Sequence, residues 1–362
     1  MNMDKKTHVI INLEKIRDNS AAVVRLCNDA GIEVIGVTKG VCAAVPVVQA
    51  MVDGGICHLA DARIKNIRKL RNNGFKQEMT LLRIPGISES REVVEITDYS
   101  LNSEIATIEE LSKNAQLKSK IHKIIIMLDV GDLREGLLPG DICDTVNRAG
   151  KLPGIEVVGL GTNMGCYGGI LPSMDNLEYL IKAAKTVEKN TGIRMRVISG
   201  GGTSSLKLVA QGVMPKGINQ LRIGEGILLG TDTTHNVAIP WLHQDTFMLN
   251  AEVVEVKTKP SVPIGEIGRD AFGNMPVFED HGLRKRAIIM VGRQDVSPEG
   301  LIPADPKMTI LGASSDHMIV DVTDADENVT VGSQITFRPN YQGMLFLCNS
   351  DYIEKKYIDK EF

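Results

Sequence analysis

Short apolar, β-branched runs alternate with amphipathic stretches over the first two-thirds of the chain. EVIGVTK (Glu33 to Lys39), ICHLA (Ile56 to Ala60), MTLLRI (Met79 to Ile84) and the weaker DYSLNS (Asp98 to Ser103) have the length and branching of buried strands. HKIIIMLDV (His122 to Val130), IEVVGLG (Ile155 to Gly161), RMRVIS (Arg194 to Ser199) and NQLRIG (Asn219 to Gly224) follow in the same style. Helical periodicity lies between them. It is clearest in SMDNLEYLIKAAKTVEKNTG, where Leu177, Leu180, Ile181, Ala184 and Val187 share one face. Ser173 is placed to cap that helix and Gly192 to end it. Eight strand–helix units before residue 235 predict an α/β fold, a closed parallel (β/α)8 barrel of the TIM type. An open doubly wound sheet has the same periodicity, and the pattern alone leaves both open.

The pattern changes after Asp232. FMLNAEVVEVK, RAIIMVG, MTILGA, HMIVDVT, QITFRP and GMLFLCN read as short strands separated by Pro- and Gly-rich turns, with no helical period between them. This predicts a barrel over residues 1–235 and a mostly antiparallel β domain over residues 236–362. Lys257 to Asn274 (KTKPSVPIGEIGRDAFGN) carries too much Pro and Gly for one continuous strand, and reads as an ordered loop.

A chain of 362 residues, 43% of them apolar, can fill a large domain and a smaller one. Forty-one Lys and Arg against 45 Asp and Glu give a net charge of -4, without the basic excess that nucleic-acid binding demands. No run reaches the roughly 18 apolar residues of a membrane span. MNMDKKTHVI has no signal-peptide core. Six scattered cysteines with no C-x-x-C pair suit free thiols in a reducing cytoplasm. The expected partner is therefore a small molecule, with neither nucleic acid nor membrane.

In a barrel, working residues stand at the C-terminal ends of strands. Those ends supply Lys39, Arg134, Asn163, Thr203 with Ser204, and Arg222. Lys39 follows VIGVT directly; desolvation at a barrel mouth would favour its neutral, nucleophilic amine. A solvated lysine at a strand end is the plainer alternative. SGGGTSS (Ser199 to Ser205) follows one strand and opens a helix, a pattern that lets backbone approach an anion or simply makes a turn. RIGEG (Arg222 to Gly226) follows the last strand, and barrels often pair these two loops around a phosphate. GLGTNMG lacks dinucleotide glycine spacing, and the histidines, His235 and His243 included, form no metal motif.

VTKG around Lys39, SGGGTSSL, INQLRIGEGILLGTD, IGEIGRDAFGN, GRQDVSPEGLIP and GASSDHMIVDV together resemble the alanine racemase type (fold type III) of pyridoxal 5'-phosphate enzymes, over nearly the whole chain. Within that group the chain looks most like ornithine racemases and their relatives. The resemblance implies that Lys39 is the Schiff-base lysine. It places Arg134 at the phenolic oxygen and substrate carboxylate, and Arg222 at the pyridine nitrogen. Thr203, with Ser204 beside it, the amides of Gly224 and Glu225, and Tyr352 would hold the phosphate. Asn163 stands where relatives carry a histidine packed on the cofactor, and Ala43 where they carry a phosphate tyrosine. Their catalytic tyrosine in V-S-Y-G is absent. The matching position makes Asp270 the candidate acid/base opposite Lys39, with His317 as the runner-up. Asp316 and Asp270 are candidates to pair with a substrate ammonium.

The implied activity is interconversion of L- and D-amino acids, ornithine or a similar basic one, by a homodimer whose subunits share active sites. Two rivals are a non-catalytic pyridoxal 5'-phosphate carrier, which resembles the barrel alone, and a decarboxylase of related architecture.

Overall fold

A computed structural model describes residues 6–359. The chain divides into two compact units, Glu14–Gln244 and Met1–Leu13 with Asp245–Phe362. The first described strand, β1 (His8–Asn12), belongs to the second unit.

The first unit is a closed barrel of eight parallel strands. They are β2 (Glu33–Val37), β3 (His58–Asp61), β4 (Glu78–Leu81), β5 (Tyr99–Asn102), β6 (His122–Met127), β7 (Ile155–Thr162), β8 (Val197–Gly200) and β9 (Gln220–Ile223). Each lies within, or one or two residues from, a run picked out by periodicity. Closure is made by β9 on β2, with Glu33 opposite Gln220 and Ile35 opposite Arg222. Ile35, Val37 and Ala60 form one buried cluster, and Leu101, Ile125, Met127 and Val158 another. Burial on both faces explains why barrel strands read as near-continuous apolar runs.

The expected helix spans Met174–Thr191. Ser173 Oγ accepts from the Asn176 amide at 3.3 Å, Asn176 Oδ1 accepts from the Ser173 amide at 2.9 Å, and Gly192 ends the helix at φ 74°. Leu177, Leu180, Ala184 and Val187 are its buried face. Past β9, a helix over Glu225–Leu229 leads into a small hairpin of β10 (Thr231–Asp232) and β11 (Val237–Ala238).

The second unit is an eight-stranded sheet. Its strands after β1 are β12 (Phe247–Pro260), β13 (Leu283–Ile289), β14 (Leu301–Pro303), β15 (Thr309–Ala313), β16 (Met318–Asp321), β17 (Gln334–Pro339) and β18 (Glu354–Ile358). Their order is β14-β17-β12-β13-β16-β15, and β1 runs antiparallel to β12 and parallel to β18. A division at residue 235 therefore misses the N-terminal strand, whose partners lie far along the chain. β12 also carries on through Lys257–Pro260 before the long loop begins.

One expected strand is a helix. GMLFLCN falls within a helix over Tyr341–Asn349, not in the sheet. Asn340 Oδ1 accepts from the Gly343 amide at 3.0 Å, and Gly343, Met344 and Leu347 face inward at helical spacing. An apolar run as short as Met344 to Cys348 fits either period, and here the cap decides. Among the described residues no helix is long and apolar enough to cross a membrane.

Candidate active site

β2 ends at Val37, and Lys39 opens a short 3-10 turn immediately after it. The turn is pinned from below. Thr38 donates its hydroxyl to Asp61 Oδ2 at 2.7 Å, and its amide to the Ala60 carbonyl at 2.8 Å. Asp61 ends β3, is buried, and also accepts from the Arg63 amide and Asn66 Nδ2. Burial pushes its carboxyl up while these hydrogen bonds oppose the shift. Beyond the turn, Cys42 and Ala43 both stand at φ 49°, a left-handed conformation that costs an L-residue roughly 1–2 kcal/mol. Two such residues in succession, the second fully buried, fix how the chain leaves Lys39.

Lys39 is half-buried, and among the described residues no group is hydrogen-bonded to its amine. Its pKa is lowered, chiefly by burial. Arg134 and Arg222 add repulsion, while Cys166 and Asp61 pull the other way. The amine is therefore biased towards its neutral, nucleophilic form.

Arg222 lies on β9 and is 7% exposed. It donates to the Thr162 carbonyl on β7 at 2.6 Å and to Ser199 Oγ on β8, so one guanidinium joins three adjacent strands. Burial lowers its pKa to about 10, which leaves it charged at neutral pH. Arg134 stands in the loop after β6. That loop closes on itself: Leu137 donates to the Met127 carbonyl and Asp129 to the Leu137 carbonyl. Gly136 permits this at φ 141°, where a Cβ would sit 2.5 Å from the Asp129 nitrogen. The Arg134 guanidinium donates to Glu135 and, with the amide turned as its neighbours require, to the Asn163 oxygen at 3.2 Å. Burial works against its charge, but Glu135 and the acidic groups nearby keep its pKa raised.

Two turns form a candidate anion cradle. Thr203–Ser205 opens after β8, and Glu225–Leu229 after β9; first-turn amides of this kind have no helical acceptor. The turns are tied together by Thr203 Oγ1, which accepts from the Gly226 amide at 3.1 Å and keeps its own hydrogen free to donate. Ser204 is buried beside it. The Glu225 carboxylate faces away, accepting from Thr231 Oγ1 and from the amide and hydroxyl of Thr233. Only its backbone is left for an anion. A Cβ on Gly202 would come within 3.3 Å of the Arg222 carbonyl, and one on Gly224 within 3.2 Å of the Val37 side chain. Thr162 Oγ1, buried at the end of β7, has no partner. An unpartnered amine, a glycine-walled cradle and an orphaned hydroxyl fit a phosphorylated aldehyde such as pyridoxal 5'-phosphate.

The remaining candidates lie in the second unit. Asp270 sits at the tip of the loop between β12 and β13. Its carboxylate accepts from the amides of Phe272 and Asn274 and from Asn274 Nδ2. These bonds, the Asn274 amide first, hold its carboxyl below the usual range despite some burial, and Arg293 adds to the effect. Asp316 Oδ1 accepts from Gln294 Nε2 at 3.1 Å, and Ser315 donates to Oδ2. His317 is exposed, its amide donating to Ser314 Oγ. Tyr352 is 80% exposed. Its amide donates to Ser350 Oγ.

Sequence reading missed Asp61, Asp132, Glu135, Cys166 and Arg293. Asp61 is itself a strand end and was within reach of the strand-end rule. The others act through neighbours that no spacing reveals.

The family model described as "Alanine racemase, N-terminal domain" matches residues 11–232. An ornithine racemase of Acetoanaerobium sticklandii is 42% identical over 97% of this chain and 99% of its own. A lysine racemase of Thermotoga maritima is 42% identical over 96% of this chain and 98% of its own. The crystal structure of an alanine racemase from D-cycloserine-producing Streptomyces lavendulae superposes with a TM-score of 0.77 at 17% identity, covering 99% of this chain and 98% of its own. With a family model spanning most of the chain and relatives matched end to end, this chain belongs to the alanine racemase family of pyridoxal 5'-phosphate-dependent amino acid racemases.

Proposed function

We propose that this racemase holds pyridoxal 5'-phosphate at Lys39 and acts on ornithine or lysine in preference to alanine. The observation that carries the cofactor assignment is the Lys39 amine, half-buried and without a hydrogen-bond partner, with a lowered pKa to which Arg134 and Arg222 contribute. Lys39 would take the aldehyde, Thr203, Ser204 and the Gly224 and Glu225 amides the phosphate, with Tyr352 as a further contact. Arg222 would face the ring nitrogen, and Arg134 with Asn163 the ring oxygen and the substrate carboxylate. When bound, the cofactor supplies an electron-withdrawing ring that acidifies the substrate Cα–H.

The protein's part is proton handling. Lys39, its amine biased to the neutral form, takes or returns the Cα proton on one face. A second group must serve the other face. Asp270 is held below the ordinary carboxylate range and donates poorly at neutral pH. We therefore rank His317 ahead of it, because an imidazole can both give and take protons there. Asp316 is left as the partner for a side-chain ammonium. A site built around that pairing penalises an apolar side chain by leaving the carboxylate unmatched.

The substrate reading is supported by the names of two relatives, one an ornithine and one a lysine racemase. Chiral chromatography of purified protein supplied with pyridoxal 5'-phosphate tests it. The kcat/KM for ornithine or lysine should exceed that for alanine by at least about 100-fold. Equal values would reject the preference, and carbon dioxide release without racemisation would establish the decarboxylase instead. The working form is a homodimer with the β unit of one subunit completing the barrel site of the other. Mixing Lys39→Ala with His317→Ala subunits should restore activity through hybrids. Exchange without recovery would count against shared sites. Six free cysteines suit a reducing cytoplasm.

A further inference from the structure

Asp132 is 2% exposed, yet it stands in a loop between two exposed neighbours, Gly131 and Leu133. Its carboxylate is turned onto the loop that follows β7. Oδ2 accepts from the amides of Tyr167 at 3.1 Å and Cys166 at 3.4 Å. Oδ1 accepts from those of Gly168 at 3.1 Å and Ile170 at 3.3 Å. One buried carboxylate therefore gathers four amides of a single segment, which contains no acceptor of its own for them. The backbones are also in close approach: a Cβ on Gly168 would lie 2.8 Å from the Asp132 carbonyl oxygen. The two loops joined in this way carry Arg134, two residues after Asp132, and Asn163, whose amide accepts from Arg134.

We propose that Asp132 is a positioning residue: by locking the β6 loop to the β7 loop it holds the Arg134–Asn163 pair in place at the Lys39 amine. The proposal rests on the reading of Arg134 as the arginine that contacts cofactor and substrate. A neutral amide cannot substitute. Asparagine would present one oxygen to two of the amides and its own N–H groups to the other two, in whichever orientation it adopted. The result is a loosened loop rather than an unfolded barrel, because the strands and their core do not depend on the contact.

The test is a double-mutant cycle with two further readouts. Asp132→Asn and Gly168→Ala, the second of which parts the loops without altering the carboxylate, are each made alone and with Arg134→Ala. Racemase kcat/KM and affinity for pyridoxal 5'-phosphate are measured for every form. Cys166, an exposed free thiol within the clasped segment, reports on the loop itself through its rate of modification by an aromatic disulfide, followed by peptide mass spectrometry. Either change should accelerate Cys166 modification about tenfold, while thermal unfolding moves by only a few degrees. Each should lower kcat/KM by about 30-fold in the parent but less than about threefold once Arg134 is alanine. Equal factors in both backgrounds would show that Asp132 does not act through Arg134. Unchanged Cys166 reactivity would show that there is no clasp. A parent that binds pyridoxal 5'-phosphate but racemises nothing would sink the proposed function. The cofactor-affinity cycle and the thiol rates would still decide the role of Asp132.

Discussion

Lys39→Met should give a colourless protein whose racemase activity is lower by at least about three orders of magnitude, yet which is more stable than the parent at neutral pH. The first half follows from the role proposed for Lys39, which takes the aldehyde and moves the Cα proton; a lost nucleophile or base of this kind costs about 10³-fold or more. The second half follows from physics. Burial lowers the Lys39 pKa, so folding works against its proton. That penalty is complete while the amine is protonated in both states, below the folded pKa. It fades as pH rises towards the unfolded value near 10.5. Methionine keeps the length of the stem and removes the charge, so its advantage should be largest below the folded pKa, shrink above it and vanish in alkali. Chemical denaturation of the cofactor-free proteins across that range measures it. A variant less stable than the parent at every pH would show that the lysine is not under strain. The same reasoning sets the sign for its neighbours. Removing the charge of Arg134 should raise the Lys39 pKa and move the acid limb of the pH–rate profile to higher pH.

Arg222→Ala should be the most damaging single change to the barrel. The guanidinium is buried on β9 and hydrogen-bonded to β7 and β8, so its loss leaves a void, an unpaired Thr162 carbonyl and an unpaired Ser199 hydroxyl. Voids and orphaned polar groups of this size together cost about 3–5 kcal/mol. Arg222→Met fills the void but not the hydrogen bonds, and should recover about half of the loss. Both should be inactive at neutral pH if this charge sets the electrostatics beside Lys39, so the pair separates stability from function. Denaturation midpoints that match the parent would refute the structural role. Full activity in the methionine variant would refute the electrostatic one.

How much of this was legible beforehand depends on where each residue finds its partners. Barrel strands are buried on both faces, and their apolar runs stand out even when only four residues long, as in β4. Lys39 and Arg222 could be singled out as candidates because each closes an apolar run, although a solvated strand end was the plainer reading of the lysine. β1 was not, since HVIIN stands outside the strand–helix alternation and its partners begin at Phe247. The helix over Tyr341–Asn349 was misread because its short apolar run, Met344 to Cys348, fits two periods. Asp132 was invisible for a different reason. Its function is a geometry shared with amides more than thirty residues away, and an aspartate in a loop ordinarily serves its own turn. Asp270 does just that. The resemblance drew attention to it as an acid/base, whereas its hydrogen bonds are those of a turn.

The two strands flanking β1 also carry a consequence for how the chain is made. Among the described strands β1 is made before all the others, yet it pairs with β12 and with β18, the last of them. The barrel, by contrast, is one uninterrupted segment, Glu14–Gln244, and can close as soon as β9 emerges to meet β2. Until β12 emerges β1 has no strand to pair with, and its second edge stays open until β18 is made. An unsatisfied edge of this kind invites pairing with neighbouring chains. A pause placed after β9 and before β12 should therefore raise aggregation of this protein, whereas one placed after β18 should not. β1 is the last described strand of the sheet to be secured on both edges.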